Sequence, residues 1–202
     1  MSALSDDLQV MLAPAASYRR LIEQPPATGA RAVLGRPALV ALVVGALITL
    51  GNAGQLLPTL LVGSVLSWSW VPALQLLVSA PLIAAARRRK VALSAAIDLF
   101  FMGHLPWSLW LMALAGWLLA RFPQGLSGAS NLRGMAATAL LPILWTWVIT
   151  FSFCRTVLAL PRWLCAVWVL GYQAVLWGCA YLYVGAVTYR LWPFALYPSF
   201  LG

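Results

Sequence analysis

Residues 37–86 read PALVALVVGALITLGNAGQLLPTLLVGSVLSWSWVPALQLLVSAPLIAAA. These 50 consecutive positions, bounded by Arg36 and Arg87, carry no charged side chain. A helix rises ~1.5 Å per residue and the hydrocarbon core of a bilayer is ~30 Å thick, so about 20 residues cross it. Such a stretch is too long for one crossing and suits two. The break between them is expected near Gly51, Asn52, Gly54, Gln55 and Pro58. Ser67–Pro72 is a second candidate, with Trp68 and Trp70 at an interface. The expected spans are residues 37–57 and 65–86.

Working outward, the next apolar run extends from Val91 to Ala120 and contains Asp98, His104 and Pro106, so a kinked third span is expected. A polar loop follows, Arg121 to Arg133. A fourth span is placed at residues 134–154 and a fifth at 163–186, joined by a short connection holding Arg155, Pro161 and Arg162. The tail carries Tyr189, Trp192, Phe194, Tyr197 and Phe200 among prolines, and reads as an aromatic segment lying at an interface. The predicted fold class is all-α: a polytopic transmembrane bundle of five spans.

Composition agrees. Hydrophobic residues are 63% of the 202-residue chain and charged residues 8%, against about 25% charge in soluble domains, which excludes a soluble globular domain and a disordered chain. The formal net charge is +9. In a soluble protein that would suggest nucleic acid; here the basic residues flank apolar runs and no nucleic-acid partner is expected. With the N-terminus inside, the inner segments hold Arg19, Arg20, Arg31, Arg36, Arg87, Arg88, Arg89, Lys90, Arg155 and Arg162. The outer ones hold only Arg121, Arg133 and Arg190. This positive-inside bias predicts a cytoplasmic N-terminus and a C-terminus on the opposite side. Arg87, Arg88, Arg89 and Lys90 are read as membrane anchors. No cleavable leader is expected, because Asp6 and Asp7 stand where a basic region would precede it.

Residues 1–36 differ from the membrane domain, residues 37–202. Leu4, Leu8, Met11 and Leu12 repeat at helical spacing, and Tyr18, Leu21 and Ile22 share an apolar side of a second short segment ended by Pro25 and Pro26. The arm suits a cytoplasmic membrane surface or a partner groove; the plainer alternative is a loosely ordered arm near lipid headgroups.

Asp98 is the only acidic residue within the apolar runs, and such a side chain in a membrane is costly unless paired. Pairing with Arg87, Arg88 or Arg89, about two turns away, is expected. His104, the single histidine, is placed to satisfy backbone at the Pro106 kink or to bond a neighbouring helix. Six residues separate Asp98 from His104, ~240° around a helix, so the two do not share a face. No nucleophile elbow, zinc motif, phosphate loop or carboxylate pair is present, so no catalytic residue, metal site or cofactor is expected. Cys154, Cys165 and Cys179 read as free thiols. Trp68, Trp70, Trp107, Trp110, Trp117 and Trp192 fit an outer aromatic belt, whereas Trp145, Trp147, Trp168 and Trp177 fit helix contacts.

Three stretches carry a family resemblance. Pro14-Ala-Ala-Ser-Tyr-Arg-Arg-Leu-Ile-Glu-Gln-Pro25 looks like the proline-bounded segment that precedes the first span in bacterial members of the Yip1 family. Phe101-Met-Gly-His-Leu-Pro106 is similar to that family's aromatic, glycine-containing approach to a proline in the third span, with His104 where an aromatic or small polar residue is commoner. Leu144-Trp-Thr-Trp-Val-Ile, leading through Arg155 and Arg162, resembles the last hairpin. The resemblance implies a non-enzymatic five-span membrane protein. The Ala-, Arg- and Trp-rich composition points to a bacterial inner membrane, so the vesicle-traffic role of eukaryotic relatives is not carried over.

Two functions follow as expectations. The first is a scaffold or accessory subunit, partnered by the lipid bilayer and other membrane protein subunits. The second is a small transporter or channel component using Asp98 and His104. A lipid-modifying enzyme ranks last.

Overall fold

Proline and glycine set the helix boundaries. The computed structural model describes residues 3–24, 30–86, 91–121 and 137–188. The cluster Arg87–Lys90, most of the polar loop and the aromatic tail lie outside them. Helices α1 (Ala3–Leu12) and α2 (Pro14–Glu23) form the arm; Pro14 opens α2 at the first helical turn, where a missing N–H costs nothing. Helix α3 (Ala30–Ala53) ends at Gly54, which takes φ 67° while its N–H closes on the Leu50 carbonyl at 2.9 Å. A left-handed residue after a helix favours glycine, and this one turns the chain. Pro58 then starts α4 (Pro58–Trp68).

The hairpin therefore lies at residues 54–57. The second apolar segment begins at Pro58 and not at 65 as the window placed it. It runs through Ser69 into α5 (Trp70–Ala86) as one stretch of 29 residues. Ser67–Pro72 is a local distortion within this stretch: Pro72 has no N–H for the carbonyl four residues back. Trp68 and Trp70 pack on Tyr183, at ring-centroid distances of 5.7 and 5.2 Å.

Helix α6 (Leu93–Phe101), a 3₁₀ turn at Met102–His104 and α7 (Leu105–Arg121) make the next continuous segment. The 3₁₀ turn sits where Pro106 deprives the helix of a donor. Helices α8 (Leu140–Thr156) and α9 (Arg162–Thr188) follow. Their connection holds Ala159 at φ 58° and is tied by the Arg155 guanidinium donating to the Leu160 carbonyl.

The described residues contain helices and no strand. Three segments are long and apolar enough to cross a membrane: Pro58–Ala86, Leu93–Trp117 and Arg162–Tyr183. Leu34–Leu50 and Leu140–Thr156 are shorter apolar helices of 17 residues. Leu93–Trp117 is the central one: 39% of its most apolar window is buried, against 17% and 22% for the other two. Phe100 sits at the hub, with edge contacts to Phe153, Trp168 and Tyr172 at 5.6, 6.1 and 5.7 Å. Leu42, Val62, Leu66, Leu77, Val148, Val167 and Leu170 point outward, as lipid-facing side chains do.

Helices α3 and α4 lie almost in backbone contact. A Cβ at Gly45 would stand 2.8 Å from the Val65 backbone, so only glycine allows the approach. Thr49 seals the seam, donating to the Gly45 carbonyl at 2.8 Å and pairing with the Ser64 hydroxyl at 3.0 Å. Small residues and hydroxyls of this kind let helices meet where lipid supplies no hydrophobic drive.

Candidate functional site

The arm is built into the bundle. Helix α2 packs on α8, and α1 rests on the 3₁₀ turn. Val10, Tyr18 and Leu21 belong to the same buried cluster as Leu99, Phe100 and Phe153. Tyr18 is fully buried; its hydroxyl donates to the Leu99 carbonyl at 3.3 Å and its ring meets Phe153 edge-on at 5.7 Å. Burial pushes the Tyr18 phenol well above its ordinary value, so it stays a neutral donor. The Trp145 indole donates to the Met11 carbonyl at 2.8 Å. The groove that receives the arm is this chain's own.

Arg36 locks the arrangement. Its Nε donates to Asp98 Oδ1 at 2.5 Å, and one terminal nitrogen reaches both oxygens of Asp7 at 2.6 and 2.7 Å. One guanidinium thus joins α1, α3 and α6. Its planar fork suits two carboxylates at once, which an ammonium would not. Burial raises the Asp7 carboxyl above its ordinary value, and the hydrogen bond and charge of Arg36 pull it back only in part. Asp6 pairs separately with Arg20 at 2.7 Å. Asp98 was expected to face Arg87, Arg88 or Arg89, which lie outside the described residues. Its observed partner is Arg36, 62 positions upstream.

His104 stands apart from that cluster. Its Nδ1 lies 3.1 Å from the Phe101 carbonyl, and its ring stacks on Phe101 at 4.9 Å. A carbonyl only accepts, so Nδ1 carries the proton and Nε2 is left as an acceptor. His104 lines a cavity of about 30 Å³ with Gln75 of α5, Thr146 and Thr150 of α8, and Tyr172 and Gln173 of α9. All six polar side chains are buried, and Phe100, Trp107 and Trp177 close the wall. Thr150 returns its hydroxyl to the Thr146 carbonyl at 2.7 Å, and Gln173 accepts from the Trp177 indole at 3.1 Å. Gln75 Oε1 and Thr146 Oγ1 are buried with no partner among the described residues.

Asp98 and His104 are thus not brought together: one faces Arg36, the other the cavity. Arg36 was counted only as a topological charge, and Gln75, Thr146, Thr150, Tyr172 and Gln173 were not singled out. The signal available was several uncharged polar residues inside apolar runs. Gln55 is exposed in the turn after α3, and the side chain of Asn52 lies outside those described. Among the described residues no three His, Cys, Asp or Glu side chains gather to hold a metal ion.

Fold and site define, among the described residues, a helical protein with three helices long and apolar enough to cross a membrane, a latched N-terminal arm and an interior polar cavity. No family model, curated protein or solved structure matches the chain.

Proposed function

We propose that this chain is a five-span, Yip1-like protein of a bacterial inner membrane that serves as a non-enzymatic scaffold or accessory subunit in a larger assembly. The three long helices and the two of 17 residues supply five apolar segments, and 17 residues reach the lower end of what a bilayer needs, roughly 17–25. The basic asymmetry supports an inner N-terminus. A reporter active only in the cytoplasm, fused after Gln24, Lys90, Gln124, Pro161 and Gly202, is expected to read on, on, off, on, off. An active fusion at Gly202 would refute the odd span number.

One observation carries the subunit reading. Helix α9 rests on α5 and α8 and turns Gly171, Ala174 and Gly178 outward along one side. A Cβ added at Gly171 or Gly178 meets nothing within 4 Å. Lipid does not require small residues, whereas a second helix approaches closely only over them. Gly171→Leu with Gly178→Leu should therefore leave folding and yield intact. Recovery of a stoichiometric membrane partner in mild detergent should fall about tenfold, as expected when a packed helix contact is lost. Equal recovery of the partner from the double variant would remove this face from the argument.

A second reading, a small transport component, is favoured by the polar cavity among span-length helices. A buried histidine among such helices is a candidate for a solute path by default, because a polar group there is costly.

A further inference from the structure

We infer that the N-terminal arm is a re-entrant hairpin whose tip, at Ala13 and Pro14, lies near the bilayer midplane and sets Leu8 and Leu12 against the acyl chains of inner-leaflet lipid. Helix α1 enters from the inner side and α2 leaves by the same side. The inference rests on the proposed topology, in which Leu93–Trp117 and α8 cross the membrane and Arg155 marks the inner end of α8. An arm lying on the membrane surface would touch only the inner ends of those helices.

The contacts set the depth. Leu105 is the middle residue of Leu93–Trp117, and α1 packs on the 3₁₀ turn at Met102–His104 and on α7, which begins at Leu105. The Trp145 indole that bonds the Met11 carbonyl stands ten residues from Arg155. That is ~15 Å along α8, half of a ~30 Å core. Tyr18, farther along α2, meets Leu99 and Phe153, which are both nearer the inner ends of their helices. Two separate helices thus put the same tip at the same level.

The chemistry of the tip fits that depth. The eleven residues LQVMLAPAASY, between Asp7 and Arg19, carry no charge. Charges resume together on both limbs: Asp6 pairs with Arg20 across the hairpin at 2.7 Å, and Asp7 reaches Arg36. Backbone polar groups in hydrocarbon must be satisfied by protein, since no water is there to do it. The Gln9 carbonyl accepts from the Ala13 N–H at 2.8 Å and from the Ser17 hydroxyl at 2.7 Å. The Ala13 carbonyl accepts from the Ser17 N–H at 3.0 Å, and the Met11 carbonyl has its indole. Pro14 brings no N–H to strand in the turn.

Leu8 and Leu12, one helical turn apart, are 39% and 72% exposed, beside exposed Ala13 and Ala16. Acyl chains at this depth cover such a face, whereas water would leave it unfavourably hydrated. Gln9 is the polar residue on the same side. Helix side chains lean toward the N-terminus, here the inner surface, so its amide is carried back toward the headgroups.

Depth measurement tests the hairpin. The full chain, with Cys154, Cys165 and Cys179 replaced by alanine, is placed in phosphatidylcholine–phosphatidylglycerol nanodiscs with one nitroxide at Leu12→Cys. Leu109→Cys, exposed on α7, marks the membrane interior, and Gln24→Cys marks the inner surface. Power saturation compares collisions with oxygen, which concentrates in hydrocarbon, and with a water-soluble nickel chelate. The oxygen-to-nickel ratio at Leu12 should match that at Leu109 and exceed that at Gln24 several-fold. A Leu12 ratio equal to that of Gln24, with Leu109 deep, overturns the hairpin and leaves the topology standing. A shallow Leu109 removes the span and the inference with it. A Leu12 label shielded from both collision partners puts protein over the tip and overturns the lipid contact.

A second measurement keeps Cys154, buried in the cluster that seats the arm, with Cys165 and Cys179 replaced by serine. Leu12→Asp at so exposed a residue is silent if the arm faces water. Within hydrocarbon a carboxylate is expensive, so at pH 8 in nanodiscs the arm should be expelled and a thiol reagent should modify Cys154 about tenfold faster or more. Leu12→Met should keep the parent rate. A parent rate for Leu12→Asp as well would overturn the proposal.

Discussion

Arg36→Met is expected to destabilise the chain by about 3–5 kcal/mol, the cost of stranding a buried charge whose partner has gone. Arg36 is the only cation bonded to Asp98 among the described residues, and it also holds Asp7. With it removed, Asp98 is left 6% exposed beside a second carboxylate in a poorly solvated setting. Arg36→Lys should fall between, because one ammonium cannot serve both carboxylates with a fixed fork. Asp98→Asn keeps the shape and an acceptor oxygen, and should be mild. Asp98→Leu leaves Arg36 short of a partner and should cost more. Combining Arg36→Met with Asp98→Asn and Asp7→Asn should recover much of the loss, since no charge is then stranded. Unfolding midpoints in one mild detergent decide the matter. If Arg36→Met melts with the wild type, the cluster is a surface ornament and the arm is held by packing alone.

Tyr18→Ala is the second large effect. The ring is fully buried between the arm and α8, so truncation should cost about 3–5 kcal/mol through lost transfer energy and the void it leaves. Tyr18→Phe removes only the bond to the Leu99 carbonyl and should cost about 1 kcal/mol. Cys154 offers a local readout, being fully buried in the same cluster. With Cys165 and Cys179 replaced by serine, a thiol reagent should modify Cys154 in the Ala variant far faster than in the Phe variant. Equal, slow labelling in both would show that the arm's seat survives without the ring. The two predictions separate charge from packing: Arg36 tests the ionic lock and Tyr18 the apolar one.

What was legible in the sequence was what local chemistry decides. Gly54 followed by Pro58 marks a turn between two helices because one residue tolerates positive φ and the other needs no donor. The Pro106 distortion could be located for the same reason. The start of the second apolar segment was misplaced. Trp68 and Trp70 resemble interfacial anchors in sequence; that they also form a shelf for Tyr183, more than 100 positions away, only the fold shows.

The helical class and the presence of apolar segments of membrane-crossing length were readable because a bilayer imposes length and hydropathy on each segment separately. Partners were not. That Asp98 needs a cation follows from its setting, but which cation follows from how α1, α3 and α6 converge, and the nearest in sequence is not the one it bonds. The cavity likewise draws on α5, the 3₁₀ turn, α8 and α9, and each polar residue taken alone looks like a minor flaw in an apolar run. Hydropathy is a property of one segment. Ion pairs and cavities are properties of the packing between segments, and only the tertiary structure decides them.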